Sequence, residues 1–214
     1  MLVTNLVVAV NLGLFVYGII LEPSAFGSAI GPLQRNFGLF GPAVADGEWY
    51  RLVTSGFVHF GLIHVGMNML FIWQAGQLLE PGLGRLRFTL LYFASLLGGA
   101  AGALILTPNS LTAGASGAAF GLLGAAVVGL RQRGVPIMST SLGTVLVLNL
   151  VLTFAISGIS VGGHLGGLVA GGVCGAAILA PRAERRRALE IGVPIAMIFV
   201  AVVVALVAAN ASVG

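Results

Sequence analysis

The chain reads as an all-α membrane protein, a polytopic bundle of about seven transmembrane helices. Three observations predict that class. Mean hydropathy is +1.08. Of the 214 residues, 58% are hydrophobic and only 7% charged, where soluble domains carry roughly a quarter charged residues. The few charges are also clustered, leaving uncharged runs over 1–21, 52–79, 88–130, 134–181 and 191–214. A helix needs about 20 apolar residues to cross a bilayer. The third and fourth runs therefore hold two helices each, and the others one.

The first helix is read over 2–21. It lacks a basic n-region and its apolar core is too long for a signal peptide, so it is a retained span. Its abrupt start at Leu2 is compatible with a further segment ahead of it. Residues 22–51 form a connection that is long for a bundle. Its Pro23, Pro32 and Pro42 and its apolar Leu33, Phe37, Leu39 and Phe40 favour a loop folded back onto the membrane surface. The second helix is expected over 55–79, with Glu80-Pro81-Gly82 as its stop, and the third over 88–106, broken by Thr107-Pro108-Asn109-Ser110. The fourth runs from Ser116 to just before Arg131, the fifth over 141–156 and the sixth over 162–180. The seventh, over 191–209, is almost purely Val, Ala, Ile and Leu and carries no chemistry. The expected domain division is a six-helix core over 1–181, with outer loop 22–51, followed by a basic loop and seventh helix over 182–214.

Arginine placement predicts the orientation. Arg85, Arg87, Arg131, Arg133, Arg182, Arg185, Arg186 and Arg187 follow helices two, four and six, which is one side under alternating topology. That side is the cytoplasmic one. The N-terminus is then cytoplasmic, and helices four and six both descend from the extracytoplasmic face. The net charge of +4 does not signal nucleic-acid binding, because no soluble basic domain carries it. Every basic residue is arginine, which accompanies abundant Ala, Gly and Val as a compositional habit rather than a mechanism. The single Cys174 excludes an internal disulfide.

Against this apolar background a few residues stand out. Gly114-Ala115-Ser116-Gly117 places a serine at the head of helix four. His164 heads helix six at the same depth, and Gly167, Gly171 and Gly175 continue its face as a stripe of small residues. Such stripes let backbones approach closely in lipid. Gly117, Gly121 and Gly124 form a shorter stripe under Ser116. Packing alone accounts for the glycines, but not for an ionisable or hydroxyl group at the outer end of each stripe. A serine becomes a nucleophile when a histidine takes its proton, so Ser116 and His164 are the candidate pair. The one aspartate, Asp46, lies in the first loop, which leaves a dyad with no buried carboxylate to orient the imidazole. Phe120, one turn below Ser116, is expected to pack against His164. On helix two, His64 and Asn68 share a face and are candidate oxyanion donors together with main-chain N–H groups near Ser116.

The rival chemistry is a zinc site on His59, His64 and His164. His59 and His64 do not share a helical face, and there is no His-Glu-x-x-His motif and no acidic second shell. A single aspartate also excludes a two-aspartate protease. No cofactor is implied.

These residues resemble the rhomboid family of intramembrane serine proteases. The family's Gly-x-Ser-Gly appears as Gly114 to Gly117, its His-x-x-x-Asn as His64 to Asn68 with a preceding histidine at His59, and its helix-six motif as His164, Gly167 and Gly171. Its Trp-Arg feature resembles Trp49-Tyr50-Arg51, with a tyrosine between the two, and its Glu at the end of helix two matches Glu80. The resemblance implies Ser116 as nucleophile, His164 as general base, and His64 and Asn68 in the oxyanion site. It also implies a membrane-embedded first loop and a six-plus-one helix arrangement. Phe120 departs from the family, in which many members have tyrosine. Stacking on His164 survives that change, but a phenolic role does not. The implied function is cleavage of transmembrane protein substrates near the outer face of a lipid bilayer, in a bacterial plasma membrane, with no nucleic acid involved. Two alternatives are an inactive rhomboid-like protein that binds membrane segments and a small transporter. The intact Ser/His pair counts against the first. The lack of an inverted repeat and of polar residues through mid-membrane, beyond isolated groups such as Asn149, counts against the second.

Overall fold

The computed structural model describes residues 1–27, 30–181 and 186–213. Its helices are α1 (Leu2–Leu21), three short outer-loop helices α2 (Pro32–Phe37), α3 (Gly41–Ala45) and α4 (Arg51–Thr54), then α5 (Leu62–Leu106), α6 (Ser116–Gln132), α7 (Ser141–Ala155), α8 (Val161–Ile178) and α9 (Arg187–Ala211). Within α5, Gly84 has φ 75° and ψ 166°, a conformation that only glycine adopts readily, and it divides the element into 62–83 and 85–106. Seven long helical segments result among the described residues. By length and composition, α1, α5, α8 and α9 suffice to cross a membrane, and α7 is a shorter apolar helix. The chain is an integral membrane protein.

Two expected boundaries moved. The second helix starts at Leu62, because Ser55–Phe57 is a 3-10 turn and Val58 leads into extended backbone up to Gly61. Glu80-Pro81-Gly82 is not the stop: helix continues to Leu83 and breaks at Gly84, and the third helix resumes before Phe88. Proline removes one backbone donor without forcing φ positive, whereas the conformation at Gly84 ends the helix. Arg182 and Arg185, used above for orientation, lie outside the described residues.

The core is a stack of three backbones in near contact. Added methyl groups at Gly167 and Gly171 of α8 would collide with the backbone of Gly117 and Gly121 on α6, and one at Gly175 would lie 2.5 Å from Ala125 Cα. The opposite side of α8 meets the second half of α5. Methyl groups at Gly162 and Gly166 would strike the Gly102 and Gly98 carbonyls, and one at Gly98 would strike the Ala170 side chain. Helix α8 therefore sits between α5 and α6 with glycine on both faces, and van der Waals packing of bare backbone holds the trio together in lipid.

The flanking helices are tied at their ends. Glu80 accepts hydrogen bonds from Val3 N (3.0 Å), Thr4 N (2.9 Å) and Thr4 Oγ1 (2.5 Å). A carboxylate here satisfies the orphan donors at the start of α1 and suits its positive dipole end. Arg87 pairs with Glu190 at 2.7 Å and fixes α9 to α5 at the same end of the bundle. At the other end, Leu39 and Thr112 exchange both main-chain hydrogen bonds (2.7 and 2.8 Å), and Gly41 N donates to Pro108 O (2.8 Å). The first loop is thereby laced to the segment that leads into α6.

Candidate active site

The site is built on the turn before α6. Gly114 has φ 122°, and its N–H donates to Ser55 O at 2.8 Å. A methyl group there would lie 2.7 Å from His64 Cε1 and Nε2, so glycine is required both for the conformation and for the approach of His64. Ala115, fully buried, donates its N–H to His59 Nε2 at 3.3 Å. Ser116 opens α6, and the cap residue Ala115 makes no side-chain capping bond. The first N–H groups of the helix thus lack side-chain partners and carry the positive end of its dipole.

His64 and Asn68 flank this turn. Phe60 N donates to His64 Nδ1 at 3.3 Å, so the ring proton sits on Nε2, the nitrogen that faces Gly114. Asn68, 5% exposed, donates one Nδ2 hydrogen to His64 O at 2.8 Å, and the other has no partner among the described residues. His59 stands apart in function: its Nε2 holds Ala115, and its ring meets His64 edge-on with centroids 5.1 Å apart. It braces the turn from behind.

On the other side of Ser116, α8 brings His164. Its ring stacks on Phe120 with centroids 4.0 Å apart and planes 19° from parallel. The contact of Gly117 with Gly167 and the 3.3 Å approach of a Gly117 methyl to Gly163 O put His164 and Ser116 on adjacent faces of the two most closely packed helices. Among the described residues Ser116 Oγ makes no hydrogen bond. Ser160 caps α8 by accepting from Gly163 N at 3.1 Å. His164 Nδ1 lies 2.7 Å from Thr153 Oγ1, a partner on α7 that the sequence pattern did not single out.

The remaining residues act at a distance. Buried Arg51 donates from Nε to Glu48 Oε2 (2.6 Å) and from Nη1 to the Arg35 and Gly38 carbonyls (2.8 and 2.7 Å), folding the first loop around one guanidinium. The Tyr50 hydroxyl also donates to Glu48 at 2.7 Å. That bond, and then Arg51, hold the Glu48 carboxyl below its ordinary range, while the Tyr50 phenol is pushed up. Trp49 is exposed at the surface and touches none of the site residues through a hydrogen bond or ring contact. The lone pairs of His59 Nε2 and His64 Nδ1 are occupied by main-chain N–H groups, and among the described residues no three His, Cys, Asp or Glu side chains cluster.

Fold and site together define a polytopic helical membrane protein with a serine, three histidines and an asparagine gathered at one end of a glycine-packed core. Residues 46–182 match the Rhomboid domain. The chain is 38% identical over 143 residues to Rhomboid protease GluP of Bacillus subtilis, covering 65% of this chain and 28% of that protein. It is 36% identical over 131 residues to Rhomboid-like protease 1 of Toxoplasma gondii (58% of this chain, 45% of that protein). It is 35% identical over 125 residues to Putative rhomboid protease YdcA of B. subtilis (56% and 63%). The chain belongs to the rhomboid family. The matched region spans between about a quarter and just under two thirds of these curated relatives.

Proposed function

We propose that the chain is an intramembrane serine endopeptidase that cleaves transmembrane protein substrates. The observation that carries this reading is the convergence on one turn of Ser116, the Phe120-stacked His164, and a His64 whose proton-bearing Nε2 faces Gly114. The similarity to proteins described as rhomboid proteases supports the same class.

In this reading Ser116 Oγ attacks a substrate carbonyl while His164 Nε2 takes its proton. The tetrahedral oxyanion receives hydrogen bonds from main-chain N–H groups at the start of α6, from His64 Nε2–H and from the free Asn68 amide hydrogen. His164 returns the proton to the leaving amine, and water then hydrolyses the acyl-enzyme by the same route in reverse. A substrate helix exposes no scissile carbonyl while its backbone is internally bonded, so it unwinds before it is cut. The arginine distribution supports an extracytoplasmic site and a cytoplasmic N-terminus, and the similarity to the B. subtilis proteins supports a bacterial plasma membrane. The core is assigned to 1–181 and the accessory seventh helix to 182–214.

The test is a reconstituted model transmembrane substrate with products read by mass spectrometry. Ser116→Ala and His164→Ala each abolish cleavage while the protein remains folded, and the double variant is no worse than either single one. Cleavage by folded Ser116→Ala would overturn the assignment.

A further inference from the structure

Helix α7 is poorly buried: only Gly143 and Thr153 along its length are shielded. Thr153 is 2% exposed, and its hydroxyl oxygen has two polar neighbours. It lies 2.6 Å from the Asn149 carbonyl oxygen and 2.7 Å from His164 Nδ1.

The hydroxyl has one hydrogen, and the carbonyl can only accept. At 2.6 Å the hydrogen must lie between the two oxygens, since otherwise two acceptors would face each other at that distance. The Thr153 oxygen is then left as an acceptor toward His164, so Nδ1 is the nitrogen that carries the imidazole proton. We infer that Thr153 is the positioning residue for His164, holding the neutral ring as its Nδ1–H tautomer and leaving the Nε2 lone pair free to act as base on Ser116. The relay runs from His164 Nδ1–H to Thr153 Oγ1–H to the Asn149 carbonyl. The Asn149 side chain is engaged elsewhere, donating to Val145 O at 2.8 Å.

In a Ser-His-Asp triad a buried carboxylate does this work. This chain has one aspartate, in the first loop, and no acidic residue between Ser116 and His164. A hydroxyl that donates its hydrogen bond to a carbonyl while accepting one from the imidazole supplies the same orientation without placing a second charge in a low-dielectric site, where an unpaired ion is costly. Phe120 restrains the tilt of the ring by stacking. Thr153 restrains its in-plane rotation, so the two contacts fix different degrees of freedom. Of the groups around His164, Phe120, Gly167 and the Gly163 backbone do not titrate, and His64 is the titratable side chain whose charge reaches it.

The inference rests on the Ser116/His164 reading, but its test is separable from it. Protein labelled with 15N-histidine contains only three histidines, and two-bond proton–nitrogen correlation reports the tautomer of each. The His164 signal is identified by its loss in His164→Ala. In wild type it shows the Nδ1–H pattern. In Thr153→Val, which keeps the shape and removes the acceptor, that pattern is lost and kcat falls about 10²-fold at unchanged KM, a portion of what general-base catalysis contributes. Thr153→Ser restores both. An Nε2–H pattern for neutral wild-type His164 overturns the inference without reference to any variant, and so does a folded Thr153→Val with wild-type kcat. Activity surviving in Ser116→Ala would instead remove the Ser116/His164 reading and leave the tautomer result standing.

Discussion

Gly171→Ala adds a single methyl group at the closest approach of α8 to α6. That methyl would meet the oxygen, carbonyl carbon and Cα of Gly121, all backbone atoms with no rotamer to yield. Carbon atoms settle at about 3.5–4.0 Å, so the helices must part by an ångström or more at that level. Overpacking of this kind costs roughly 1–3 kcal/mol, equivalent to about 5- to 150-fold in a conformational equilibrium. The chemistry is more sensitive still, because His164 lies on the displaced helix and Ser116 on the other. A misplacement of about 1 Å can cost 10²-fold in rate. Gly172→Ala is the matched control: a methyl one residue along meets only Val128 Cγ2, at an ordinary 3.7 Å. Alanine there gains helix propensity over glycine by up to about 1 kcal/mol. Thermal unfolding in detergent and cleavage of a reconstituted substrate are measured for both. Gly171→Ala is expected to melt lower and lose most activity, while Gly172→Ala is unchanged or more stable. Equal behaviour of the two would refute the close-packed α6–α8 interface.

Three further outcomes follow from the site. Phe120→Tyr retains cleavage because the stacked ring face is kept, whereas Phe120→Ala loses at least severalfold in kcat; equal rates for Phe120→Ala and wild type would reject the stacking role. Gly114→Ala abolishes activity in a protein that still inserts, since φ 122° and the His64 ring both oppose a side chain; full activity would show that the turn tolerates what its geometry forbids. The Glu48 carboxyl, lowered in pKa by the Tyr50 hydroxyl and by Arg51, favours the folded loop above the ordinary carboxylate value, about 4.3. That contribution is lost as pH falls through the lowered value. Protection from hydrogen exchange over residues 35–54, taken relative to the intrinsic exchange rate at each pH, should fall on acidification in wild type and depend less on pH in Glu48→Gln, and identical pH profiles would count against the clamp.

Much of this was legible in the sequence because lipid restricts the choices. Few charges and about 20-residue runs leave helices as the main solution, and a glycine stripe beneath His164 marks the face that meets α6. The other face of α8, Gly162 and Gly166, was harder to read. Its partners Gly98 and Gly102 lie in a segment so rich in Ala and Gly that no single stripe stands out. Helix two was misplaced at both ends for local reasons. Ser55 to Phe60 is apolar enough to extend a helix but is drawn into hydrogen bonds with the Gly114 turn and Gln34, and Gly84 rather than Pro81 carries the conformation that stops a helix. Thr153 gave no signal, because a lone threonine in an apolar helix usually bonds its own backbone. Only the placement of α7 against α8 reveals its second partner.

The central claim is that Ser116 is a nucleophile activated by His164. Its most direct measurement is labelling of the detergent-solubilised protein with a fluorophosphonate probe, followed by mapping of the adduct by mass spectrometry. The account predicts one adduct, on Ser116, that disappears in folded His164→Ala. An adduct on another residue, or labelling of Ser116 that persists unchanged without His164, would contradict it.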